Sequence, residues 1–175
     1  MSSPSQPPLP VWLAHLPVSG GMAVPWITPR TANGRHLFGT VDRDRMNSAL
    51  TRRRCGVCGK PLDGRIVLLL RQSDLPRRCT SEPGLHPQCA AYTMKACPMV
   101  VGRMDHYRAS PRPLEPGQVS GPDAAARQGA PAEPWFAVWV AGYDVIVDHG
   151  NLAASYAQCA PLRVRSISWS LPGIW

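Results

Sequence analysis

Two pairs of residues that commonly bind metal ions stand out in this chain. Cys55-Gly-Val-Cys58 and His86-Pro-Gln-Cys89 each place two residues between their ligand-type members. A tetrahedral zinc ion takes four such side chains, often one pair from a tight backbone knuckle and one from the first turn of a helix. The spacing therefore predicts one structural zinc ion bound by Cys55, Cys58, His86 and Cys89.

The residues around these pairs favour the backbone geometry that such a site needs. Gly59, directly after the second cysteine, accepts a turn conformation that a β-carbon would obstruct. Pro87 suits the first position of a helix, so that His86 and Cys89 lie three residues apart on one helix face. The apolar run at 64–71 is typical of a buried strand. Knuckle, hairpin and helix in this order predict a treble-clef-like zinc subdomain over residues 55–98.

Two other cysteines are alternative ligands. Cys79 lies in a polar loop and could take the place of His86. Cys97 falls on the apolar face of the predicted helix, where a buried thiol is the more common role. Three disulfides, or a thioredoxin-like redox pair at Cys55 and Cys58, are further interpretations of the six cysteines.

The amino terminus bears on the disulfide alternative. Residues 1–8 contain no apolar signal segment, and the chain has no run of about 18 apolar residues that would span a membrane. We therefore expect a cytoplasmic protein without membrane association. In a reducing cytoplasm a C-x2-C pair favours metal binding over a structural disulfide.

Proline and glycine divide the chain into short elements. The 175 residues include 20 prolines and 15 glycines, while the 44% hydrophobic content can supply one core. The predicted fold class is α+β, with a small mixed or antiparallel sheet, few short helices and the zinc subdomain on its flank. Around residues 55–98 we predict a disordered arm at 1–10, strands plus a basic helix at 11–54, a flexible Pro/Ala-rich linker at 107–134, and carboxy-terminal strands at 135–175 that complete the same domain.

Before the knuckle, short apolar runs alternate with turn residues. They predict three strands, at 11–16, 22–27 and 36–41. A helix over 45–52 follows, capped by Asp42 or Asp44. This helix leads directly into the first cysteine pair.

After the linker, the hydrophobic pattern resumes. It predicts an interior strand at 135–140, a strand at 143–147 paired with it, and a short helix within 150–159. A half-exposed strand at 162–169 completes the series. We expect these carboxy-terminal strands to join the amino-terminal ones in one sheet.

The positive charge suggests a polyanionic partner. The formal net charge is +8, and residues 30–54 carry seven arginines against two aspartates. Guanidinium groups bind phosphate oxygens in bidentate fashion, so the predicted nucleic-acid contacts are Arg45, Arg52, Arg53 and Arg54. The alternative is compositional bias, because the chain has seventeen arginines and only two lysines.

Catalytic groups are fewer. A nuclease of the HNH type places a histidine base on the hairpin, where this chain offers only Asp63. The remaining candidates for a metal-dependent or accessory enzyme are Asp105, His106, His149 and Cys79. The sequence contains neither a phosphate-binding glycine loop nor a nucleophile elbow.

Four strings carry a family resemblance: Met22-Ala-Val-Pro-Trp26, Cys55-Gly-Val-Cys58-Gly-Lys-Pro-Leu62, Ser81-Glu-Pro-Gly-Leu-His86-Pro-Gln-Cys89-Ala-Ala-Tyr92 and Ala96-Cys97-Pro98. Their order resembles a family of small, uncharacterised cysteine-containing proteins from actinobacteria, other bacteria, and phages or mobile elements. The resemblance supports the zinc interpretation and brings no established activity. It implies Cys97, which is followed by proline, as an alternative ligand.

Two classes of function follow from these observations. The first is a non-enzymatic, zinc-stabilised module that binds nucleic acid or a protein partner. The second is a metal-dependent enzyme, and a purely structural or scaffolding role is a further alternative. The metal pairs and the basic segment favour the first class.

Overall fold

The computed structural model describes residues 6–167. In this part of the chain, two α-helices and ten short strands make up a mixed α/β fold, which confirms small antiparallel sheets and few helices. The helices are α1 (Arg43–Thr51) and α2 (Pro87–Ala96). The strands are β1 (Val18–Ser19), β2 (Met22–Ala23), β3 (Thr40–Asp42), β4 (Ile66–Arg71), β5 (Cys79–Thr80), β6 (Gln118–Ser120), β7 (Trp135–Val140), β8 (Asp144–Asp148), β9 (Asn151–Ser155) and β10 (Arg163–Ser166).

The central layer is a three-stranded antiparallel sheet in the order β10-β7-β4. Strand β4 is buried along its whole length, which explains its continuous apolar sequence. It pairs with β7 from Ile66 opposite Val140 to Arg71 opposite Trp135. The predicted strands at 64–71 and 135–140 are therefore observed. Residues of both strands belong to the hydrophobic cluster that contains the three cysteines of the two ligand pairs.

Helix α1 precedes the knuckle, as the sequence predicts. Asp42 caps it by accepting a 2.9 Å hydrogen bond from the Arg45 backbone N–H. Met46, Ala49 and Leu50 form its buried face. The helix ends at Thr51, and Arg52, Arg53 and Arg54 then lead the chain to Cys55.

The carboxy-terminal strands pair differently from the prediction. Strand β8 pairs with β9 in a second sheet of order β5-β9-β8, and not with β7. The segment predicted as a helix within 150–159 is largely strand β9. His149 (φ +47°) and Gly150 (φ +80°) both adopt left-handed conformations, the backbone of a tight hairpin turn that reverses the chain between these strands.

The amino-terminal strands also differ from the prediction. Residues Val11–Leu13 form a 3-10 helix, and the strands before α1 are two or three residues long. Frequent prolines restrict ladder pairing there. The amino-terminal and carboxy-terminal strands belong to separate sheets, so the expectation of one shared sheet is wrong.

The segment at 107–134, predicted as a linker, contains strand β6, which pairs with β3. Its glutamates also contact other parts of the chain. Glu115 accepts a hydrogen bond from the Ala32 backbone N–H, and Glu133 accepts one from the Ser73 backbone N–H. These contacts place the segment over the region between β3 and β7.

The described residues include two hydrophobic clusters. One contains Leu13, Tyr92 and Trp135 together with the three cysteines of the two ligand pairs. The other lies beneath α1 and contains Leu50 and Tyr143. In the described part of the chain, no helix combines the length and the apolar character needed to cross a membrane.

Candidate metal centre

The structure brings the two predicted residue pairs together. The ligand atoms of Cys55, Cys58, His86 and Cys89 all lie within 4.8 Å of one another. Cys58 Sγ of the first pair lies 3.4 Å from His86 Nδ1 of the second. All four side chains are buried, and the arrangement is compatible with one metal ion at their centre.

A tight turn positions the first pair. The Gly59 backbone N–H donates to the Cys55 carbonyl over 2.8 Å, and the Cys55 N–H donates to the Lys60 carbonyl over 2.8 Å. Gly59 has φ +74°, and a β-carbon there would lie 2.7 Å from the Trp26 ring. Glycine is thus required at this position both by the backbone conformation and by the packing of Trp26.

The start of α2 positions the second pair. His86 is the residue that precedes the helix, Pro87 occupies its first turn, and the Ala90 N–H donates to the His86 carbonyl over 2.9 Å. Cys89 follows in the first turn and is 1% exposed. The predicted proline-initiated helix therefore presents both side chains toward the knuckle.

The histidine ring is held from its far side. His86 Nε2 lies 2.9 Å from the carbonyl oxygen of Pro61, which accepts its hydrogen, and 3.6 Å from a carboxylate oxygen of Asp63. This assignment leaves Nδ1 with the free lone pair that faces Cys58. Histidine ligands of metal ions are commonly oriented by such a second hydrogen bond.

The thiols influence one another. A hydrogen bond from Cys89 lowers the pKa of Cys55 to about 5, and the same contact raises the pKa of Cys89. Burial raises the pKa of Cys58. Three thiolates in this space repel one another, so their joint ionisation requires a cation between them.

The two alternative cysteine ligands lie outside this group. Cys79 is buried in β5, where it pairs with Ser155 of β9. Cys97 caps the carboxy-terminal end of α2, and burial raises its pKa. Among residues 6–167, the set of three cysteines and one histidine is the one group of three or more histidine, cysteine or acidic side chains placed to hold a metal ion.

The remaining catalytic candidates are dispersed over exposed positions. Asp105 Oδ1 and His106 Nδ1 lie 3.3 Å apart, and their side chains are 85% and 58% exposed. His149 occupies the turn between β8 and β9 and is also exposed. The side chains of both histidines are therefore placed in solvent.

Three of the four predicted nucleic-acid contacts bind other parts of the chain. Arg45 donates to the Trp26 carbonyl over 2.9 Å, and Arg54 donates to the Gly59 carbonyl over 3.1 Å. Arg53 donates to the Tyr143 carbonyl over 2.8 Å, and its guanidinium stacks 5.5 Å from the centroid of that ring. Arg52 is exposed. The arginine segment therefore has a structural role around the knuckle as well.

Two residues that shape the site, Pro61 and Trp26, cannot be recognised from the spacing of the ligand residues. The Pro61 carbonyl orients His86, and Trp26 covers the knuckle, donating its backbone N–H to the Val57 carbonyl over 2.8 Å. Both act through backbone groups or packing, which sequence patterns seldom reveal. The glycines of the knuckle are the one sequence feature that indicates another element packed closely against it.

No family model, no curated protein and no solved structure matches this chain. The case for the metal centre therefore depends on its geometry.

Proposed function

We propose that this chain is a non-enzymatic, zinc-stabilised binding module with a single structural zinc ion bound by Cys55, Cys58, His86 and Cys89. The observation that carries the proposal is the buried cluster of these four ligand atoms within 4.8 Å. Three thiolates and one imidazole form a donor set that zinc commonly takes in structural sites.

The distances fit a tetrahedral ion. With zinc–sulfur bonds of about 2.3 Å and zinc–nitrogen bonds of about 2.0 Å, a tetrahedron separates sulfur and nitrogen ligands by about 3.5 Å. Cys58 Sγ and His86 Nδ1 lie 3.4 Å apart. Since the chain supplies all four ligands, no position is left for water, which favours a structural role over a catalytic one.

The order of elements supports a treble-clef-like arrangement. The knuckle comes first, strand β4 and its pairing of Val67 with Leu85 follow, and α2 carries the second ligand pair. Zinc would join the knuckle to α2, whose residues otherwise meet in one hydrophobic cluster. The ion would therefore contribute folding free energy directly.

The basic face beside α1 supports a nucleic-acid partner. A shallow groove of about 470 Å³ is lined by Trp26, by two arginines and by one carboxylate, with three polar residues of α1 completing it: Arg45, Arg52, Asp44, Asn47, Ser48 and Thr51. Arg45 and Arg52 are seven residues apart and so lie on one side of α1. A cation-bearing groove with an aromatic wall suits the phosphates and bases of a single strand.

Elemental analysis of the purified chain tests the zinc assignment. One zinc ion per chain, absent together with the fold in a Cys55→Ser, Cys89→Ser variant, is the expected result. A folded wild-type chain without zinc, or metal retained in the variant, would overturn the assignment.

Fluorescence anisotropy with a short labelled DNA single strand tests whether the partner is a nucleic acid. We expect affinity to fall as salt rises, and Arg52→Ala to reduce the slope of log affinity against log salt by about 1. Arg65→Ala is the control, because Arg65 is exposed and outside the groove. Equal losses in both variants would indicate a charge effect without a site, and no binding at low salt would favour a protein partner instead.

A further inference from the structure

A second cavity, of about 620 Å³, lies between α2, the β1–β2 hairpin and the 98–128 segment. None of the four proposed zinc ligands lines this cavity. The knuckle residues that do line it are Gly56 and Val57. Its walls are mainly apolar and include Met22, Phe38 and Met99. A concave apolar space with a few polar groups is the usual form of a small-molecule site.

Four residues that line this cavity have buried polar atoms without a hydrogen-bond partner among the described residues. Arg71 Nε, Tyr107 Oη, Arg127 Nε and Trp135 Nε1 are shielded from water and have no hydrogen-bond partner within residues 6–167. All four residues line the cavity. Arg71 is 4% exposed and Trp135 is 5% exposed. Each such donor without an acceptor costs about 1–3 kcal/mol, so their collection on one cavity indicates that a bound molecule supplies acceptors.

The other polar atoms of the two buried arginines are already paired. Arg71 binds Glu82 over 2.8 Å and Asp74 over 3.4 Å, and its guanidinium stacks 4.8 Å from the centroid of Trp135. Arg127 forms an ion pair with Glu133. These contacts hold the side chains in place, while their Nε groups stay unpaired.

Two further arginines add positive charge to the lining of the cavity. Arg108 and Arg112 line the same cavity, and neither forms an ion pair with a described residue. The pKa of Arg112 is lowered by burial and by the charge of Arg108. Carboxylates offset the charges of Arg71 and Arg127, so Arg108 and Arg112 are the two cavity-lining arginines without a counter-ion among the described residues. An anion would relieve this repulsion.

We propose that this cavity binds an amphiphilic anion, a small molecule with an apolar body and a carboxylate head group. The head group neutralises Arg108 and Arg112 and accepts hydrogen bonds from the unpaired donors of the polar wall. Because these donors are shielded from water, Tyr107, whose hydroxyl has no partner among the described residues, turns toward the head group on binding. The apolar body lies against the methionine and aromatic side chains. This site is separate from both the zinc centre and the α1 groove.

Displacement of anilinonaphthalene sulfonate from the zinc-loaded full chain tests the proposal. This probe is itself an apolar anion whose fluorescence rises in a dry site. Decanoate, decanol and decyltrimethylammonium are the competitors, since they share one alkyl chain and differ in head-group charge. We expect decanoate to displace the probe at a concentration about 10-fold or more below that of decanol, with the cation weakest. Equal displacement by all three, or no binding of the probe, would overturn the proposal.

Two variants assign the effect to this cavity. Arg108→Gln with Arg112→Gln should reduce the preference for decanoate over decanol by about 10-fold. Arg65→Gln with Arg103→Gln removes the same charge from exposed positions outside the cavity and should leave the preference unchanged. Equal loss in both double variants would show a long-range charge effect and contradict the site.

A cavity-filling variant gives a second, independent measurement. Thr93 lies on α2 at the cavity wall, so Thr93→Leu should weaken decanoate and decanol together by occupying part of the apolar volume. Unchanged displacement in Thr93→Leu would place the ligand elsewhere. Circular dichroism and zinc content of each variant show whether the fold is retained.

Discussion

His86 Nε2 lies 2.9 Å from the carbonyl oxygen of Pro61, while Nδ1 of the same ring lies 3.4 Å from Cys58 Sγ. Pro61 in turn forms a backbone bridge with Arg54, the residue directly before the first cysteine. The knuckle thus supplies two of the ligands and also sets the orientation of a third. A ring held in this way presents one nitrogen to the metal position without rotational freedom.

Replacement of His86 tests whether the ring is a ligand. His86→Ala should lower zinc affinity by more than about 100-fold, because loss of a ligand exceeds the effect of losing its orienting partner. His86→Cys should recover most of that affinity, since sites made of four cysteines also bind zinc. Competition with a coloured chelator measures the zinc affinity of both variants.

His106→Ala is the matched control, because His106 is an exposed histidine outside the cluster. Its zinc affinity should equal that of the wild type. Wild-type affinity in His86→Ala would remove His86 from the ligand set and reopen the role of Cys79.

Serine substitution of single cysteines distinguishes the ligand sets. Cys89→Ser should release zinc and lower the melting temperature strongly, because two thiolates and one imidazole would remain around the ion. Cys79→Ser and Cys97→Ser should keep one zinc ion per chain, because both residues lie outside the cluster. Zinc content and melting temperature, measured in parallel, check the result. Zinc loss from either of the latter variants would contradict this ligand set.

Alanine variants of Gly59 and Gly64 distinguish the cost of backbone strain from the cost of a steric clash. Both have left-handed φ values, of +74° and +72°, but only at Gly59 would a β-carbon meet a neighbour, the Trp26 ring at 2.7 Å. Gly64→Ala should therefore cost about 1 kcal/mol of unfolding free energy from strain alone. Gly59→Ala should cost clearly more and should weaken zinc binding. Urea unfolding of the zinc-loaded variants compares them, and equal losses would exclude a packing role for Trp26.

The sequence predicted those parts of the fold that depend on short spacings. The knuckle, α1 with its Asp42 cap, and α2 with its initial proline are determined by residues within one or two turns of each other. The pairing of β4 with β7, by contrast, joins segments about seventy positions apart, and periodicity identified each strand without naming its partner.

The errors have identifiable physical causes. The β8–β9 hairpin depends on a left-handed φ at His149, which non-glycine residues seldom adopt, so this turn has little signal in the sequence. The structural roles of Arg45, Arg53 and Arg54 depend on backbone carbonyls that the folded chain brings near them. A count of charges cannot distinguish an arginine that binds a partner from one that binds its own chain.

Asp74 is a buried carboxylate whose loss should destabilise the fold. Its side chain is 1% exposed, accepts from the Arg77 guanidinium over 2.9 Å, and accepts from the Arg71 backbone N–H over 3.0 Å. Asp74→Asn would remove one of two carboxylates from each arginine, since Arg71 keeps Glu82 and Arg77 keeps Asp148, at a cost of about 1–3 kcal/mol. Asp144→Asn, at an exposed carboxylate without an ion pair among the described residues, is the control and should change stability by less than about 0.5 kcal/mol. Similar unfolding midpoints for both variants in urea would contradict this role.

Tyr143 should make the fold sensitive to alkaline pH. The side chain is 3% exposed, and its hydroxyl donates to the Leu50 carbonyl at the end of α1 over 3.0 Å. Burial raises the pKa of Tyr143 from its ordinary value of 10 to about 12. Because the folded pKa is the higher one, this stabilisation is fully present below pH 10 and is lost as pH rises to 12. The loss amounts to about 2–3 kcal/mol.

Tyr143→Phe isolates this contribution from the other groups that titrate at alkaline pH. At neutral pH the variant should be less stable by about 1 kcal/mol, since the hydrogen bond to Leu50 is missing. Between pH 10 and pH 12 its unfolding free energy should decline less steeply than that of the wild type, because phenylalanine has no proton to lose. Thiols, other tyrosines and zinc dissociation affect both proteins equally, so the difference between the two urea-unfolding curves reports Tyr143 alone. Parallel curves across this range would show that the Tyr143 hydroxyl titrates alike in the folded and unfolded chain.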